Sequence, residues 1–333
     1  MTVTRKFFLF AAALVLSLFL VEIYARHTVR ITPAGQALAR YQPNGGGHAV
    51  FLGSSLTDAG IRASLLDTLL GVPLPGFRAY NLALAGLNGS ENYWLIFKGF
   101  ILPKSRPRYL VVEGAGIPFL PPREPFRLEG VGLRVESFRA EYLDWPGFLY
   151  LSGGFPGIAP CLSFLLHRTW FSYHHRHEIQ ARLKERLIPK EPAAKVKQGN
   201  PYRMVDLAAF RFAETARSEL RRLESMPDGP SAMRRREAHL LDLAALAKEN
   251  GVALVILKPP LPPADTFLQR SPAFAAYVRN FRSLCDSLGV RYLDLSGEES
   301  CGPYSFSDGI HLDEAGSRRF TACVATALAS EHR

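Results

Sequence analysis

The sequence has few cysteines and lacks the short motifs that mark several classes of protein. Its four cysteines form no CxxC pair and have no spacing typical of metal ligands; they are Cys161, Cys285, Cys301 and Cys323. No RNP-like aromatic motif or helix-turn-helix pattern accompanies the formal charge of +10, so the charge does not by itself indicate nucleic acid. With 47% hydrophobic residues, the composition is that of a folded protein. We therefore expect a folded chain with no metal, no cofactor and no nucleic-acid partner.

The cysteines and one histidine cluster leave alternatives open. In a domain outside the cytoplasm the cysteines can pair as disulfides, with three possible connectivities, and otherwise they are ordinary buried thiols. The cluster His174, His175 and His177 suggests a metal site, because imidazole is a common zinc ligand. It lacks the i, i+4 pair that places two imidazoles on one helix face, and no acid or cysteine completes a set. We interpret it as a solvated basic face.

The N-terminus contains a long apolar run. Residues 7–25 follow Arg5-Lys6, read FFLFAAALVLSLFLVEIYA and contain Glu22 as their only charge. Nineteen helical residues reach roughly 28 Å, about the thickness of one hydrocarbon core. A cleaved signal peptide is an alternative, although the small-x-small cleavage pattern is poor, and a buried helix is another. We favour a retained transmembrane anchor over residues 1–26.

After a connector at residues 27–46, strand-like and helix-like segments alternate. The strand-like segments cover residues 48–53, 78–84, 108–114, 252–257 and 290–295. The helix-like segments cover residues 62–70, 91–102, 234–250, about 272–288, and 313–330. Short apolar strands that alternate with helices predict a parallel sheet covered on both faces. We expect a three-layer α/β fold with a mostly parallel, five-stranded, flavodoxin-like sheet.

The alternation is interrupted between the third and fourth strands. Residues 115 to about 232 are rich in proline, aromatic residues and arginine, and helices are predicted over 171–187 and 207–226. We interpret this stretch as a large insertion that packs on the core and forms part of a substrate groove. Residues 47–333 would then be one domain that contains one insertion.

Two adjacent serines follow the first predicted strand, in the segment FLGSSLTDAG. In an open parallel sheet, ligands bind beyond the carboxyl ends of the strands, and the N-terminus of a following helix favours an oxyanion. A serine at this position is a candidate nucleophile if a base can remove its proton. The alternative is that Ser54 or Ser55 only caps the following helix.

A candidate base and acid follow the last predicted strand. The segment YSFSDGIHLDEAG contains Asp308 three residues before His311, at the start of the C-terminal helix. The carboxylate can accept one imidazole N–H while the other ring nitrogen faces a nucleophile, which is the role of the acid in a serine triad. The alternative is that Asp308 caps the helix and His311 is a surface residue.

These two segments resemble motifs of the SGNH, or GDSL, hydrolases. GSSLTDAG is similar to the family's first block, Gly-Asp-Ser-Leu-Thr-Asp-x-Gly, with Ser54 in place of the usual aspartate. The resemblance makes Ser55 the nucleophile, so Ser55 and His311 should lie within hydrogen-bond reach, about 3 Å. DGIHLDEAG is similar to the last block, and it implies Asp308 and His311 as the acid and the base.

The resemblance also implies an oxyanion hole with one departure from the family. YNLALAG is similar to the second block, whose glycine, here Gly86, donates a backbone N–H together with the amide of Ser55. The third block usually reads Gly-x-Asn-Asp, and its asparagine donates as well. The corresponding VVEGAGIPF has no asparagine, so Asn88 is the candidate substitute. Loss of one such donor typically lowers the rate by about 10²–10³.

The anchor, the Gly-Ser-Ser first block and the altered third block are together similar to the membrane-anchored SGNH proteins of bacterial envelope-polymer modification. This implies an esterase or O-acyltransferase that acts on an acylated glycan or envelope polymer at the periplasmic side of the cell membrane. It also implies a multi-spanning acyltransferase as a partner. The basic charge suits an anionic glycan or lipid headgroups. The alternative is a catalytically weak or inactive scaffold or glycan-binding subunit of an envelope complex, which the missing asparagine and the insertion favour.

Overall fold

The computed structural model describes the chain in several segments. They are residues 3–28, 38–39, 41–43, 48–84, 87, 89–114, 139, 142–170, 213–214, 216–225, 229–260, 266–296 and 301–330. The chain divides into two compact units. One comprises Met1–Gln36 and Pro125–Val196, and the other comprises Ala37–Glu124 and Lys197–Arg333. The domain boundaries expected from the sequence stay a prediction.

In the first unit, the apolar N-terminal run is helical, as predicted, within a helix that spans Val3–Thr28. No helix in the described segments is both long and apolar enough to cross a membrane. The transmembrane helix predicted for this run is therefore not found among them. Two further helices, Trp145–Leu151 and Ile158–Thr169, pack through Phe148 and Phe164, whose ring centroids are 4.5 Å apart.

The second unit is built on a five-stranded sheet. Its strands are β1 (His48–Leu52), β2 (Arg78–Asn81), β3 (Tyr109–Glu113), β4 (Ala253–Lys258) and β5 (Arg291–Asp294). Their order is β2-β1-β3-β4-β5, and every neighbouring pair is parallel. The predicted five-stranded α/β sheet is confirmed, with β2 shorter than expected.

Helices cover both faces of this sheet. As a result, every residue of β1 and β3 is buried. Helices Ala63–Gly71 and Glu314–Ala329 pack on one face around Phe51, Val111 and Leu257. The helices associated with the other face are Ser90–Ile96, Ala238–Glu249 and Pro272–Leu288. The continuous apolar runs of β1 and β3 are therefore those of strands buried on both sides, as the sequence predicts.

The predicted helices of the second unit are largely present. The segment predicted as one helix at 234–250 is two helices, Pro230–Arg236 and Ala238–Glu249. The segment predicted at 91–102 is an α-helix that continues into a π-helical turn, Phe97–Ile101. Within 207–226, residues 216–224 are helical. The helix predicted over 171–187 and its three histidines lie outside the described residues.

The strand order creates a switch point at β1. Strand β2 lies on one side of β1 and strand β3 on the other, so the direction in which strands are added reverses there. In flavodoxin-like sheets with the order 2-1-3-4-5, ligands bind at this point, beyond the carboxyl ends of the strands. β1 leads into the two serines, and β3 ends at Glu113. The topology therefore brings the serines and this glutamate to the same edge of the sheet.

Candidate active site

Ser54 and Ser55 begin a short helix, Ser55–Gly60, which we call the serine helix. Ser54 is its N-cap, with extended backbone, and its Oγ accepts the N–H of Leu56 at 3.2 Å. Ser54 is buried, whereas Ser55 is half-buried. The capping alternative thus applies to Ser54, and the hydroxyl of Ser55 interacts with another part of the chain.

His311 contacts both Ser55 and Asp308. Its Nε2 lies 2.9 Å from the Oγ of Ser55, and its Nδ1 lies 2.7 Å from an Oδ of Asp308. Ser55 and His311 are 256 residues apart in sequence, and their distance agrees with the expected hydrogen-bond reach. With the Nδ1 proton directed at the carboxylate, Nε2 is free to accept the serine proton.

The loop that carries Asp308 and His311 is held by its own hydrogen bonds. One carboxylate oxygen of Asp308 accepts the N–H of Ile310 at 3.0 Å and that of His311 at 2.7 Å. The N–H of Ser307 donates to the carbonyl of His311 at 2.9 Å. One oxygen of Asp308 therefore orders the loop, while the other orients the imidazole ring.

Two opposing influences act on the pKa of Asp308. Partial burial alone would raise the pKa, because it disfavours the charged carboxylate. The hydrogen bonds from the backbone and ring of His311 and from the backbone of Ile310 outweigh burial, so the pKa lies below its usual value. Asp308 is thus ionised at neutral pH, which is the state that orients and stabilises an imidazolium.

The C-terminal helix, Glu314–Ala329, has its own cap, so the capping alternative for Asp308 is wrong. Asp313 is the N-cap residue and accepts the N–H of Gly316 at 2.8 Å and the hydroxyl of Ser305 at 2.6 Å. A Cβ at Gly316 would lie 2.3 Å from the carbonyl oxygen of Ser305, so only glycine allows this close approach. Asp308 therefore remains available to His311.

Polar contacts hold the C-terminal helix beside the serine helix. The Nε of Arg62 donates to Ser317 at 2.7 Å, and the backbone N–H of Arg62 donates to Thr321 at 3.1 Å. The hydroxyl of Thr321 donates to the carbonyl of Gly60 at 3.1 Å. Because Ser55 begins one of these helices and His311 precedes the other, their packing sets the distance between the two side chains.

A disulfide also constrains the loop that carries the acid and the base. Cys301 and Cys323 are bonded, whereas Cys161 and Cys285 are buried free thiols. Of the alternatives that the sequence left open, one pair is bonded and two cysteines are ordinary core residues. The disulfide joins the loop residue Cys301 to the C-terminal helix, and the segment between its two cysteines contains Asp308 and His311.

A further polar residue, Glu113, belongs to none of the predicted site motifs but contacts the turn of Ser54 and Ser55. Its carboxyl oxygens accept the N–H of Ser54 at 2.8 Å, the hydroxyl of Ser54 at 2.8 and 3.0 Å, and the hydroxyl of Thr57 at 2.5 Å. Burial raises the pKa of Glu113, and the hydrogen bonds from Thr57 and Ser54 offset only part of the increase. The signal in the sequence is one acidic residue that ends an otherwise apolar strand, YLVVE.

The predicted oxyanion donors are only partly described. Gly86 and Asn88 lie outside the described residues. Ser55 is the first residue of the serine helix, where backbone amides have no partner within the helix. Within the described part of the chain, the N–H of Ser55 donates to no other group. In the same part of the chain, no group of three or more His, Cys, Asp or Glu residues is arranged to hold a metal ion.

No protein-family model and no curated protein matches this sequence. Among solved structures, TesA is 13% identical, with 84% of this chain and 97% of TesA covered and a TM-score of 0.39. A lipase/acylhydrolase from Enterococcus faecalis is 11% identical, with 86% and 96% covered and a TM-score of 0.40. A catalytic mutant of Axe2, an acetylxylan esterase from Geobacillus stearothermophilus, is 11% identical, with 86% and 95% covered and a TM-score of 0.40. TM-scores and identities this low do not show that the chain shares a family with these proteins. Membership of the SGNH family therefore stays a prediction from the motifs.

Proposed function

We propose that this protein is an SGNH-type serine esterase or O-acyltransferase. Ser55 would be the nucleophile, His311 the general base and Asp308 the orienting acid. The observation that carries the proposal is the continuous pair of hydrogen bonds, 2.9 Å from Ser55 to His311 and 2.7 Å from His311 to Asp308. A serine hydroxyl is a weak nucleophile until an adjacent base accepts its proton, and this geometry supplies that base.

The proposed reaction has two halves. The Oγ of Ser55 attacks the carbonyl carbon of an ester while Nε2 of His311 takes the hydroxyl proton, and ionised Asp308 stabilises the imidazolium. Collapse of the tetrahedral intermediate breaks the ester C–O bond, and His311 returns the proton to the leaving alcohol. Water or a glycan hydroxyl then attacks the acylated Ser55, with His311 again as base, and releases the acyl group as an acid or as a new ester.

We infer that the N–H of Ser55 is one oxyanion donor, because it is the first amide of the serine helix and has no partner within that helix. Gly86 and Asn88 stay predictions from the resemblance. If Asn88 does not donate, the enzyme has two donors instead of three and would be slower by about 10²–10³ than a relative with a complete oxyanion hole.

We propose an acylated extracytoplasmic glycan or envelope polymer as the substrate, and attachment to the periplasmic side of the cell membrane. The formal charge of +10 supports an anionic polymer or surface, and the apolar run at residues 7–25 supports the attachment. The Cys301–Cys323 disulfide supports an oxidising compartment, because such bonds are rare in the cytosol. A multi-spanning acyltransferase as partner rests on the resemblance alone.

A second candidate function is a scaffold or glycan-binding subunit with little or no activity. The stretch VVEGAGIPF favours it, because the third-block asparagine is missing. The hydrogen-bonded Ser55, His311 and Asp308 count against it, since a scaffold has no need for an ionised acid, a base and a serine in contact.

Labelling with a fluorophosphonate serine probe tests the proposal. We expect labelling of the wild-type protein and its loss in Ser55→Ala and His311→Ala, while Ser64→Ala, which changes a serine in another helix, labels normally. Circular dichroism would establish that each variant is folded. Absence of labelling in the folded wild-type protein would overturn the enzyme proposal and favour the scaffold.

A further inference from the structure

The turn that carries Ser55 is attached to a carboxyl group from a different strand. Glu113 ends β3, is only 1% exposed, and lies 59 residues from Ser54 in sequence. Its oxygens accept the N–H of Ser54, the hydroxyl of Ser54 and the hydroxyl of Thr57, all at 2.5–3.0 Å. The proposed catalytic step does not use Glu113, so these bonds need another explanation.

The bonds of Glu113 enclose Ser55 on both sides. Ser54 precedes it and Thr57 follows it by two residues, and both are buried against the same carboxyl group. The hydroxyl of Ser54 also accepts the N–H of Leu56 at 3.2 Å, which extends the network along the backbone of the turn. Because the same buried carboxyl group bonds the residue before Ser55 and a residue after it, the backbone that carries Ser55 has little freedom to move.

The turn is also built to let this carboxyl group approach. A Cβ on Gly53 would lie 2.6 Å from a carboxyl oxygen of Glu113 and 2.3 Å from the hydroxyl of Thr57. A larger residue at this position would therefore displace the network that follows. Packing against Glu113 and Thr57 therefore requires a glycine at position 53, independently of the proposed chemistry of Ser55.

We propose that Glu113 is a positioning residue, and that the pair of Ser54 and Glu113 takes the place of the aspartate that the first SGNH block usually carries before its nucleophile. The carboxyl group comes from β3 instead of from the residue adjacent to Ser55. It holds the turn so that the Ser55 hydroxyl faces His311 and the Ser55 N–H stays available to an oxyanion. This inference rests on the proposed function for its catalytic consequence, but not for the network itself.

Removal of the carboxyl group gives the first test. The Glu113→Gln variant keeps the volume, but its –NH₂ cannot accept the hydrogen bonds that converge on the carboxyl oxygens. We expect the rate constant of fluorophosphonate labelling to fall about 10- to 100-fold, as expected for a displaced nucleophile. With a p-nitrophenyl ester, kcat should fall by a similar factor while KM changes little.

A matched control separates positioning from general stability. Glu237 is also a buried glutamate, 4% exposed, and contacts the hydroxyl of Tyr277 at 3.4 Å. Glu237→Gln should lower Tm without changing the labelling rate. If both variants lost labelling in proportion to their loss of Tm, Glu113 would be a structural residue only and the proposal would be overturned.

Return of the carboxyl group to the first block gives a second test. In the wild-type background, Ser54→Asp puts two carboxyl groups in one buried site and should lower both Tm and labelling. In the Glu113→Gln background the same change supplies the missing acceptor, and the glutamine –NH₂ can donate to it. We expect labelling to recover to within several-fold of the wild-type rate. Recovery of Tm without recovery of labelling would contradict the positioning role.

The network can be tested even if the protein is not an enzyme. A double-mutant cycle of Ser54→Ala and Glu113→Gln, read by thermal unfolding, measures their coupling without any activity. Absence of labelling in the wild type would overturn the proposed function, whereas additive changes in Tm would overturn the network. The two failures are therefore distinguishable.

Discussion

Ser54 and Ser55 are neighbours in sequence, but their hydroxyls lie in opposite environments. Ser54 is buried and donates to the carboxyl group of Glu113, which already accepts other donors. Ser55 is half-buried and meets Nε2 of His311, which can take up a proton. The comparison teaches that the partner of a serine, and not the serine itself, distinguishes a structural hydroxyl from a candidate nucleophile.

The largest expected effect concerns the hydroxyl of Ser55, which meets His311. Ser55→Ala should abolish hydrolysis of a p-nitrophenyl ester, a loss of about 10⁴-fold or more, with Tm nearly unchanged. Ser54→Ala should keep measurable activity, because the other bonds of Glu113 still hold the turn. Steady-state kinetics of the two variants measures the difference. Equal losses of activity would show that the two hydroxyls are not distinguished in the way we propose.

The next effect tests the acid behind His311. Asp308→Asn keeps the shape of the side chain but no longer stabilises the Nδ1–H tautomer or the imidazolium. We expect kcat to fall by about 10⁴-fold. A half-buried aspartate in another helix, Asp242, provides the control as Asp242→Asn. A small change in kcat for Asp308→Asn would mean that Asp308 does not orient or stabilise His311 during the reaction.

The disulfide should affect stability through the loop that carries the acid and the base. Cys301 and Cys323 are 22 residues apart in sequence. Loss of the disulfide between them should lower the free energy of unfolding by about 3 kcal/mol. The Cys301→Ala/Cys323→Ala variant, compared with the wild type by chemical denaturation, measures this loss. Cys285→Ala, at a free cysteine, controls for the removal of a buried thiol. An unchanged unfolding free energy in the double variant would contradict the expectation.

Removal of the buried hydroxyl should have a smaller effect. Ser54→Ala removes the N-cap bond to Leu56 and one donor to Glu113. Loss of a helix cap costs about 1–2 kcal/mol, and urea denaturation measures it. Ser54→Thr retains a hydroxyl and should lose less stability than Ser54→Ala. If both variants unfold at the wild-type midpoint, the cap and the network contribute nothing to stability.

The smallest effect is an opposite pH dependence of the two carboxyl groups. The pKa of Asp308 is lowered by its hydrogen bonds, despite partial burial. Its contribution to stability is therefore present above the unfolded pKa, about 3.9, and is lost as the pH falls through the folded pKa. The pKa of Glu113 is raised by burial. Its contribution is present below the unfolded pKa, about 4.3, and is lost as the pH rises through the folded pKa.

Thermal unfolding between pH 3 and 7 measures these two contributions. The difference in Tm between the wild type and Asp308→Asn should shrink as the pH falls. The difference between the wild type and Glu113→Gln should grow as the pH falls. Parallel curves for both variants would show that neither pKa shift affects folding.

Local patterns in the sequence were sufficient for much of the fold. The apolar runs of β1, β3 and β4 and their alternation with helices predict a parallel sheet, because strands buried on both faces need apolar residues at nearly every position. The contact between Asp308 and His311 could also be predicted, since the two residues are close in sequence and their hydrogen bonds are largely local.

Contacts between distant segments could not be read in this way. The sequence left open that Asp308 caps the C-terminal helix, and the backbone path gives that role to Asp313 instead. The sequence allowed several pairings of the four cysteines. In the structure, the C-terminal helix places Cys323 next to Cys301, and these two are bonded. Gly86 and Asn88 lie outside the described residues and stay predictions.

The sequence by itself determined the candidate residues: two serines after a strand, and an aspartate three residues before a histidine. The resemblance assigned the nucleophile to Ser55, but only the tertiary structure brings Ser55 to the histidine, because the two segments are 256 residues apart and meet through the packing of two helices. The tertiary structure also decided the role of Glu113. A single acidic residue at the end of an apolar strand has no periodicity or motif, and its partners lie on another strand's turn, which only the strand order brings within reach.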